Sequence, residues 1–110
     1  MSLSTHVLDT SRGGPAEGVA FRLSRDGEEL FAGFTDEDGR CPGLRDLKLP
    51  AGRYRLEFRV VEYLRKTGVD LPDPPFLEVI PIDFGISDAD SHYHVPLLLS
   101  PYGYSTYRGS

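Results

Sequence analysis

The sequence predicts an all-β sandwich of seven to eight strands in two sheets, with one short helix. Two observations support this prediction. Runs such as VAFRLSR and RYRLEFRV alternate apolar and polar residues, and Gly, Pro, Asp and Ser interrupt the chain between such runs. A chain of 110 residues with 39% hydrophobic content is long enough for one core. We therefore expect a single domain over residues 1–110, with Greek-key-like connections.

The first third of the chain contains three predicted strands. LSTHVLD is the first, and the glycine-rich loop TSRGGPAEG ends it. VAFRLSR is the second, with Val19, Phe21 and Leu23 on the face that points to the core. The dipeptide Asp26-Gly27 then predicts a hairpin turn into the third strand, LFAGFT.

The rest of the chain contains the predicted helix and the remaining strands. DEDGR is a second Asp-Gly turn, and we expect LRDLKL after it to form a short edge strand. RYRLEFRV is a strand whose inner face carries Tyr54, Leu56, Phe58 and Val60. VEYLRKTG predicts a helix closed by its glycine, and the proline-rich LPDPPF predicts a surface loop. The last three predicted strands are FLEVIPIDFGI, HYHVPLLLS and YGYSTYR.

Charge and cysteine content exclude several classes of function. The net charge of −5 and the dispersed basic residues argue against a nucleic-acid partner, which needs clustered Lys and Arg. The apolar runs are too short to cross a bilayer, and the N-terminus lacks the pattern of a signal peptide. The single cysteine, Cys41, excludes an internal disulfide and is predicted to be a partly buried, non-catalytic thiol. We therefore expect a cytoplasmic protein without a membrane partner.

Two of the three histidines lie on one face of a predicted strand. In HYHVPLLLS the core face carries Tyr93 and its alternate neighbours, so His92 and His94 project from the other face. Such a pair can bind a metal ion, with His6 as a third ligand, or it can be packed or solvated without function. Pro96 removes a backbone donor from the same strand, which predicts a bulge or an unpaired position there.

Several motifs together resemble a known family. THVLD, DGR and HYHVPLLLSPYGYSTYRGS are similar to the transthyretin-like 5-hydroxyisourate hydrolases of purine degradation, and the resemblance extends from Leu3 to Ser110. The terminal YRGS is its most specific part, because the hormone-carrying transthyretins share LLSPYGYST but lack YRGS. The sequence departs from the family in two loops, at Leu71–Pro75 and in CPGLRDLKLP after Arg40.

The resemblance implies a fold, an assembly and a reaction. The fold is a transthyretin-like sandwich of two four-stranded sheets with a short helix, and the assembly is a homotetramer built as a dimer of dimers. A channel between the dimers carries the active sites. The reaction is hydrolysis of 5-hydroxyisourate, the product of urate oxidation, to 2-oxo-4-hydroxy-4-carboxy-5-ureidoimidazoline. The resemblance implies neither a metal nor an organic cofactor.

The resemblance also assigns residues to this reaction. His6, Arg40 and His94 match the family's catalytic positions. Histidine titrates near neutral pH, so His6 and His94 can act as general base and acid, and the sequence leaves their division of labour open. The guanidinium of Arg40 suits the oxygens of an anionic substrate and of an oxyanion. The positions implied to contact substrate are His6, Arg40, Tyr107, Arg108, Gly109 and Ser110.

Other residues and functions remain as alternatives. His92 is expected to support the catalytic residues rather than to contact substrate, and Arg108 can instead anchor the terminus to a carboxylate. Tyr102 and Tyr104 are expected to pack at the strand and subunit interface. A non-catalytic carrier of a small aromatic ligand is the main alternative function. A structural or adhesion sandwich is a weaker one, because it gives the histidines and the terminus no role.

Overall fold

A computed structural model describes residues 2–109, which fold into two sheets of four strands each. The first sheet has the order β2-β1-β7-β8 and the second the order β4-β3-β5-β6. The strands are β1 (Ser2–Asp9), β2 (Gly14–Pro15), β3 (Ala20–Arg25), β4 (Glu28–Phe34), β5 (Gly52–Arg59), β6 (Val79–Ile86), β7 (His92–Ser100) and β8 (Gly103–Thr106). A 3-10 helix spans Pro42–Asp46 and helix α1 spans Val61–Lys66.

The predicted fold class and core are confirmed. Alternate residues of β3, β5 and β7 point between the two sheets and are buried, as the period of two requires. The hairpin between β3 and β4 turns at Asp26 and Gly27, whose φ angles of 53° and 81° are those of the tight turn that favours this dipeptide. The buried residues that the sequence assigned to the core are Val19, Phe21, Leu23, Tyr54, Leu56, Phe58, Val60, Tyr93, Val95, Leu97 and Leu99.

The predicted edge strand at LRDLKL is wrong. This part of the chain forms the 3-10 helix Pro42–Asp46, and its Leu44 is fully buried in the core. A proline in the first turn suits a short helix, because it lacks the N–H that a strand ladder needs. The edge position beside β1 is occupied instead by the two-residue strand β2.

The predicted helix is confirmed as α1, and it is tied to β1 through a buried polar contact. Tyr63 donates its hydroxyl to Asp9 Oδ2 at 2.7 Å, and Ser11 donates to Asp9 Oδ1 at 2.6 Å. Burial would raise the pKa of Asp9, but these hydrogen bonds outweigh it and the pKa is lowered. The buried carboxylate therefore stays charged and joins the helix to the sheet.

No helix among residues 2–109 is long and apolar enough to span a membrane.

The pairing of β7 on either side of Pro96 determines where β8 stops. β1 and β7 run parallel in unbroken register, with His6 opposite Pro96, so the predicted bulge is absent from this ladder. On the other side of β7, the β8 ladder ends at Leu97 and Thr106, and Pro96 is unpaired there. The predicted last strand is therefore shorter than YGYSTYR. The chain bridges β7 again at Gly109 in the same register.

Candidate active site

The register of two parallel strands places two histidines on one face of the first sheet. Ser4 of β1 is opposite His94 of β7, and His6 is opposite Pro96. Because side chains of a strand alternate between faces, Ser4, His6 and His94 share the face that points away from the core. His6 and His94 are both half-buried. The structure therefore places on one face the two histidines that the sequence singled out as catalytic candidates.

Arg40 reaches this face through a closed turn. Asp36 accepts the N–H of Arg40 on its side chain at 3.0 Å and donates its own N–H to the Arg40 carbonyl at 2.7 Å. Val7 donates its N–H to the Gly39 carbonyl at 2.8 Å, and Arg40 forms an isolated bridge with His6. The backbone of Arg40 is fixed next to His6, and its side chain remains exposed.

Gly39 is required for this approach. Its φ of +75° lies in the left-handed region that side chains disfavour. A Cβ atom at this position would collide with the carbonyl oxygen of Val7 and would lie 3.2 Å from Pro15 Cβ. The dipeptide Gly39-Arg40 therefore allows the turn to pack closely enough on β1 to bring the arginine beside His6.

The terminal segment returns to the other histidine. Gly109 donates its N–H to the His94 carbonyl at 2.8 Å, and the two residues form an isolated bridge. A Cβ on Gly109 would collide with the imidazole of His94, so the glycine packs directly on the ring. Tyr107 is 58% exposed. Ser110, which the sequence also predicted to contact substrate, lies outside the described residues.

Arg108 lies on the opposite side of the sheet from the histidines. Its guanidinium carbon is 4.1 Å from the centre of the Tyr93 ring, a cation–π distance, and Tyr93 belongs to the core face. Arg108 Nη2 also approaches the His92 carbonyl, at 3.5 Å. Within a single chain the structure thus does not bring the Arg108 side chain to the face that carries His6 and His94. Its position fits the alternative in which Arg108 anchors the terminus, through the Tyr93 ring and with its charge acting on the Asp88 carboxylate.

His94 is electrostatically coupled to the rest of the cluster. Its pKa is lowered by burial first, and then by the charge of Arg40 and by the other two histidines, while a hydrogen bond to the backbone of Ser4 opposes these effects. A histidine with a lowered pKa is neutral at neutral pH and can accept a proton. The arrangement therefore provides a base beside a permanent cation.

A depression of about 300 Å³ lies in the surface next to Arg40. Cys41 is half-buried at its edge, as predicted, and burial raises the pKa of its thiol, which keeps it protonated. Sequence reasoning missed Ser4 and Arg45 as lining residues, since only the strand register and the 3-10 helix reveal them. The lining residues are Ser4, Thr5, Arg40, Cys41, Pro42 and Arg45.

The space between His92 and His94 is occupied by a hydroxyl group. Ser4 Oγ lies 3.0 Å from His92 Nε2 and 2.7 Å from His94 Nδ1. Across residues 2–109, the structure contains no group of three His, Cys, Asp or Glu side chains arranged to hold a metal ion. His92 therefore contacts His94 through Ser4, and its supporting role stays a prediction.

Comparisons with known proteins give the family. A sequence-family model described as the HIUase/Transthyretin family matches residues 3–109. The 5-hydroxyisourate hydrolase 2 of Rhizobium meliloti (strain 1021) is 54% identical over 114 residues, which cover 98% of this chain and 95% of that protein. A solved structure of Klebsiella pneumoniae 5-hydroxyisourate hydrolase is 42% identical, with a TM-score of 0.86, and the match covers 99% of this chain and 98% of that one.

Two further solved structures, of proteins with other names, are also similar to this chain. An (S)-allantoin synthase structure has a TM-score of 0.91 and 41% identity over 99% of this chain, but this chain spans only 43% of its length. Sea bream transthyretin, solved in complex with thyroxine, has a TM-score of 0.83 and 32% identity over 99% of this chain and 95% of that one. On the family model and on this degree of identity, the chain belongs to the HIUase/Transthyretin family.

Proposed function

We propose that the chain hydrolyses 5-hydroxyisourate to 2-oxo-4-hydroxy-4-carboxy-5-ureidoimidazoline, a step in urate degradation. The observation that carries the proposal is the presence of His6, Arg40 and His94 on one face, where the charge of Arg40 acts on His94. The relatives named 5-hydroxyisourate hydrolase support it, at 54% and 42% identity over nearly the whole chain.

The proposed chemistry is attack of water on a ring carbonyl. One histidine removes a proton from water, and the oxygen bonds to the carbonyl carbon. The carbon–nitrogen bond of the ring then breaks, and the nitrogen receives a proton from a histidine. Arg40 holds the substrate oxygens and stabilises the developing oxyanion, because its guanidinium is always charged and carries several donors. No metal or organic cofactor takes part in the proposed reaction.

We further propose that the terminal residues complete the substrate pocket. Gly109 packs on the His94 ring, and Tyr107, two residues earlier, has an exposed side chain, so these two residues and Ser110 are the proposed contacts. Arg108 serves by holding the segment against Tyr93. In the single chain its guanidinium lies on the face of the sheet opposite to the His94 side chain. Any contact of Arg108 with substrate would therefore be at a site on another subunit.

The proposed working form is a cytoplasmic homotetramer of single-domain chains. Large aromatic side chains are exposed near the β7–β8 turn, which supports an assembly that covers them. Tyr102 is 63% exposed and Phe76 is 69% exposed, with their ring centres 6.0 Å apart. The single half-buried cysteine fits a reducing compartment.

The second candidate function is carriage of a small aromatic ligand. The observation in its favour is the likeness to sea bream transthyretin, whose structure was solved with thyroxine. The terminal YRGS, which the carriers lack, favours the hydrolase. Calorimetric binding of an iodothyronine without turnover of 5-hydroxyisourate would favour the carrier instead.

The test is a spectrophotometric assay with freshly generated 5-hydroxyisourate. The protein should accelerate its decay, and Arg40→Ala should lower kcat/KM by about 10²–10³-fold, since one oxyanion donor contributes roughly 3 kcal/mol. Arg53→Ala is the matched control, because Arg53 is an exposed arginine on β5 of the other sheet. Decay at the uncatalysed rate with micromolar protein would contradict the hydrolase. Equal activity of the two variants would contradict the role of Arg40.

A further inference from the structure

The depression beside Arg40 is lined by two positive charges. Among the described residues around it, Arg40 and Arg45 each carry a guanidinium group, and none carries a carboxylate. Across residues 2–109, neither of these arginines forms an ion pair. The chain as a whole has a net charge of −5, so this local excess of positive charge runs against its composition. Two guanidinium groups without a competing carboxylate favour an anionic ligand.

A larger groove on the second sheet has more arginines but a different balance of charge. Its volume is about 600 Å³. Arg22 Nε is 2.9 Å from Glu57 Oε1, and Arg55 Nε is 2.7 Å from Asp83 Oδ1. These carboxylates already neutralise the arginines and would repel an anion. The depression of the candidate site therefore differs from this groove in the absence of lining carboxylates, not in the number of arginines.

The geometry of the 3-10 helix explains why Arg45, and not the neighbouring Asp46, lines the depression. Side chains three positions apart are eclipsed in a 3-10 helix. Pro42 and Arg45 are three positions apart, and both line the depression. Leu44 is fully buried and holds the helix against the core. Asp46 is exposed and is not among the lining residues. The helix thus presents its cation to the depression and its acid elsewhere.

The depression is joined to the catalytic candidates through β1. Ser4 lines it, and Ser4 Oγ is 2.7 Å from His94 Nδ1. Arg40 forms an isolated bridge with His6, and its charge acts on His94. Among the described residues, no hydrogen bond or ion pair joins Arg45 to His6 or His94. The two arginines therefore suit different tasks, Arg40 at the reacting bond and Arg45 at another part of the same ligand.

The size and charge of the depression suit a small planar anion. A volume of about 300 Å³ is at the lower end of the range for small-molecule sites. A guanidinium fork can donate to two oxygens in one plane. Hydrolysis of a ring acyl–nitrogen bond leaves a carboxylate, which is charged at neutral pH. A ligand that begins as an anion therefore stays one throughout the reaction.

We propose that Arg45 is a second substrate-binding residue, which holds ring oxygens remote from the attacked carbonyl and makes the site selective for anionic purine-like rings. No charge develops at those oxygens during the reaction, so Arg45 binds the ground state and the transition state equally. Such a contact lowers KM without raising kcat. The identity of the substrate rests on the proposed hydrolase function, whereas the binding of an anion at Arg45 does not.

The first test measures binding without turnover. Urate, a planar and oxygen-rich anion, is the probe, and calorimetry measures its affinity. Arg45→Gln should weaken urate binding by about 3- to 10-fold, because one exposed charge-assisted contact is lost. Arg45→Lys should restore part of the affinity, and Arg45→Glu should lower it further. The differences should shrink at high salt, which screens exposed charges.

Arg65→Gln is the matched control for this test. Arg65 is an exposed arginine on α1, so its substitution removes the same charge away from the depression. We expect the urate affinity of this variant to equal that of the natural chain. Equal affinities of Arg45→Gln and Arg65→Gln would overturn the proposal. Both side chains are exposed, so the two variants should share one midpoint of urea unfolding.

The second test separates binding from chemistry. In the 5-hydroxyisourate assay, Arg45→Gln should raise KM by about 3- to 10-fold and leave kcat within about 2-fold of the natural value. Arg40→Ala should instead lower kcat, because Arg40 is proposed to act on the developing oxyanion. If Arg45→Gln lowered kcat as much as kcat/KM, Arg45 would act at the reacting bond, and its assignment to binding would be wrong.

The two tests distinguish failure of this inference from failure of the proposed function. A natural chain that hydrolyses 5-hydroxyisourate with a KM indifferent to Arg45 refutes the inference alone, whether or not it binds urate. A natural chain that binds urate through Arg45 but does not hydrolyse 5-hydroxyisourate refutes the proposed function alone. A chain that neither binds urate nor hydrolyses 5-hydroxyisourate overturns both.

Discussion

The two histidines of the candidate site receive their neighbours in different ways. Arg40 is brought to His6 by an interior turn whose backbone is bonded on several sides. The side chain of Asp36 accepts the N–H groups of Asp38, at 2.9 Å, and of Arg40, at 3.0 Å. The same turn is joined to β1 by the bridge to His6. Its conformation is therefore part of the fold.

Gly109 is held beside His94 by fewer contacts than those that hold Arg40 beside His6. After Thr106 the β8 ladder stops, and the chain regains the sheet through the N–H of Gly109, 2.8 Å from the His94 carbonyl. Between these points Arg108 stacks on Tyr93. Backbone bonding on this side lapses opposite Pro96, which has no N–H to offer.

Because of this difference, variants on the two sides of the site should affect stability and activity to different extents. Where a functional residue is held by a closed turn, a change in the turn backbone disturbs folding and function together. Where it is held by a terminal segment outside the ladder, most of the fold does not depend on it. We therefore expect variants on the Arg40 side to lose stability and activity, and variants on the Gly109 side to lose activity with a smaller loss of stability.

The largest combined effect should come from Gly39→Ala. The φ of +75° and the collision of the new Cβ with the Val7 carbonyl would force the turn away from β1. We expect a loss of at least about 2 kcal/mol in the free energy of unfolding, because strain and a broken backbone contact add together. Activity should fall with it, since Arg40 is displaced from His6.

Gly43→Ala is the matched control for this prediction. Gly43 lies four residues further on in the 3-10 helix, and a Cβ there would meet only the Phe31 ring, at an ordinary distance of 3.7 Å. Urea unfolding and the 5-hydroxyisourate assay should separate the two variants. If Gly39→Ala were as stable and as active as Gly43→Ala, the turn would not be the device that places Arg40.

The sequence predicted most of this fold because alternation and turn residues are local signals. RYRLEFRV alternates without interruption, and both its strand and its buried face were correct. LRDLKL failed because Leu47 and Leu49 alternate with a charged residue as in a strand, whereas Pro42 and the burial of Leu44 in the core favour a 3-10 turn. A local pattern does not reveal whether the tertiary structure will bury residues at the spacing of a strand or at that of a 3-10 helix.

The candidate site was less accessible to sequence reasoning. His6, Arg40 and His94 came from matching motifs and not from any calculation of proximity. Ser4 and His94 are 90 positions apart, and their hydrogen bond exists only because β1 and β7 pair in parallel with one particular register. The place of Arg108 over Tyr93 likewise depends on which face the terminal segment presents after the ladder has ended.

Removal of residues 107–110 should give the next largest effect. The described part of this segment contributes one backbone hydrogen bond to β7 and one cation–π contact, so its loss should cost about 1–2 kcal/mol of stability. The activity should fall by at least about 100-fold, because the pocket loses its proposed Tyr107 and Gly109 contacts and solvent reaches His94. Circular dichroism, urea unfolding and the hydrolase assay measure these effects. An unfolded product, or full activity in a folded one, would remove the distinction between the two sides.

The smallest and sharpest test is Gly109→Ala against Gly103→Ala. Both glycines face β7, but a Cβ on Gly103 meets only Ser100 Oγ at 3.6 Å, whereas a Cβ on Gly109 collides with the His94 ring. Neither residue needs a left-handed φ, so the variants differ in contact with the histidine and not in backbone strain. Relief of this collision needs a shift of more than about half an ångström, shared between the segment and the His94 ring, and should lower kcat/KM by about 10-fold.

Stability should be within about 0.5 kcal/mol of the natural chain for both variants, because a terminal segment can yield where a core cannot. The expected pattern is therefore one variant with full activity and one with reduced activity, at the same midpoint of unfolding. A parallel loss of activity in Gly103→Ala would mean that β7–β8 pairing as a whole, rather than the contact of Gly109 with the imidazole, sets the position of His94.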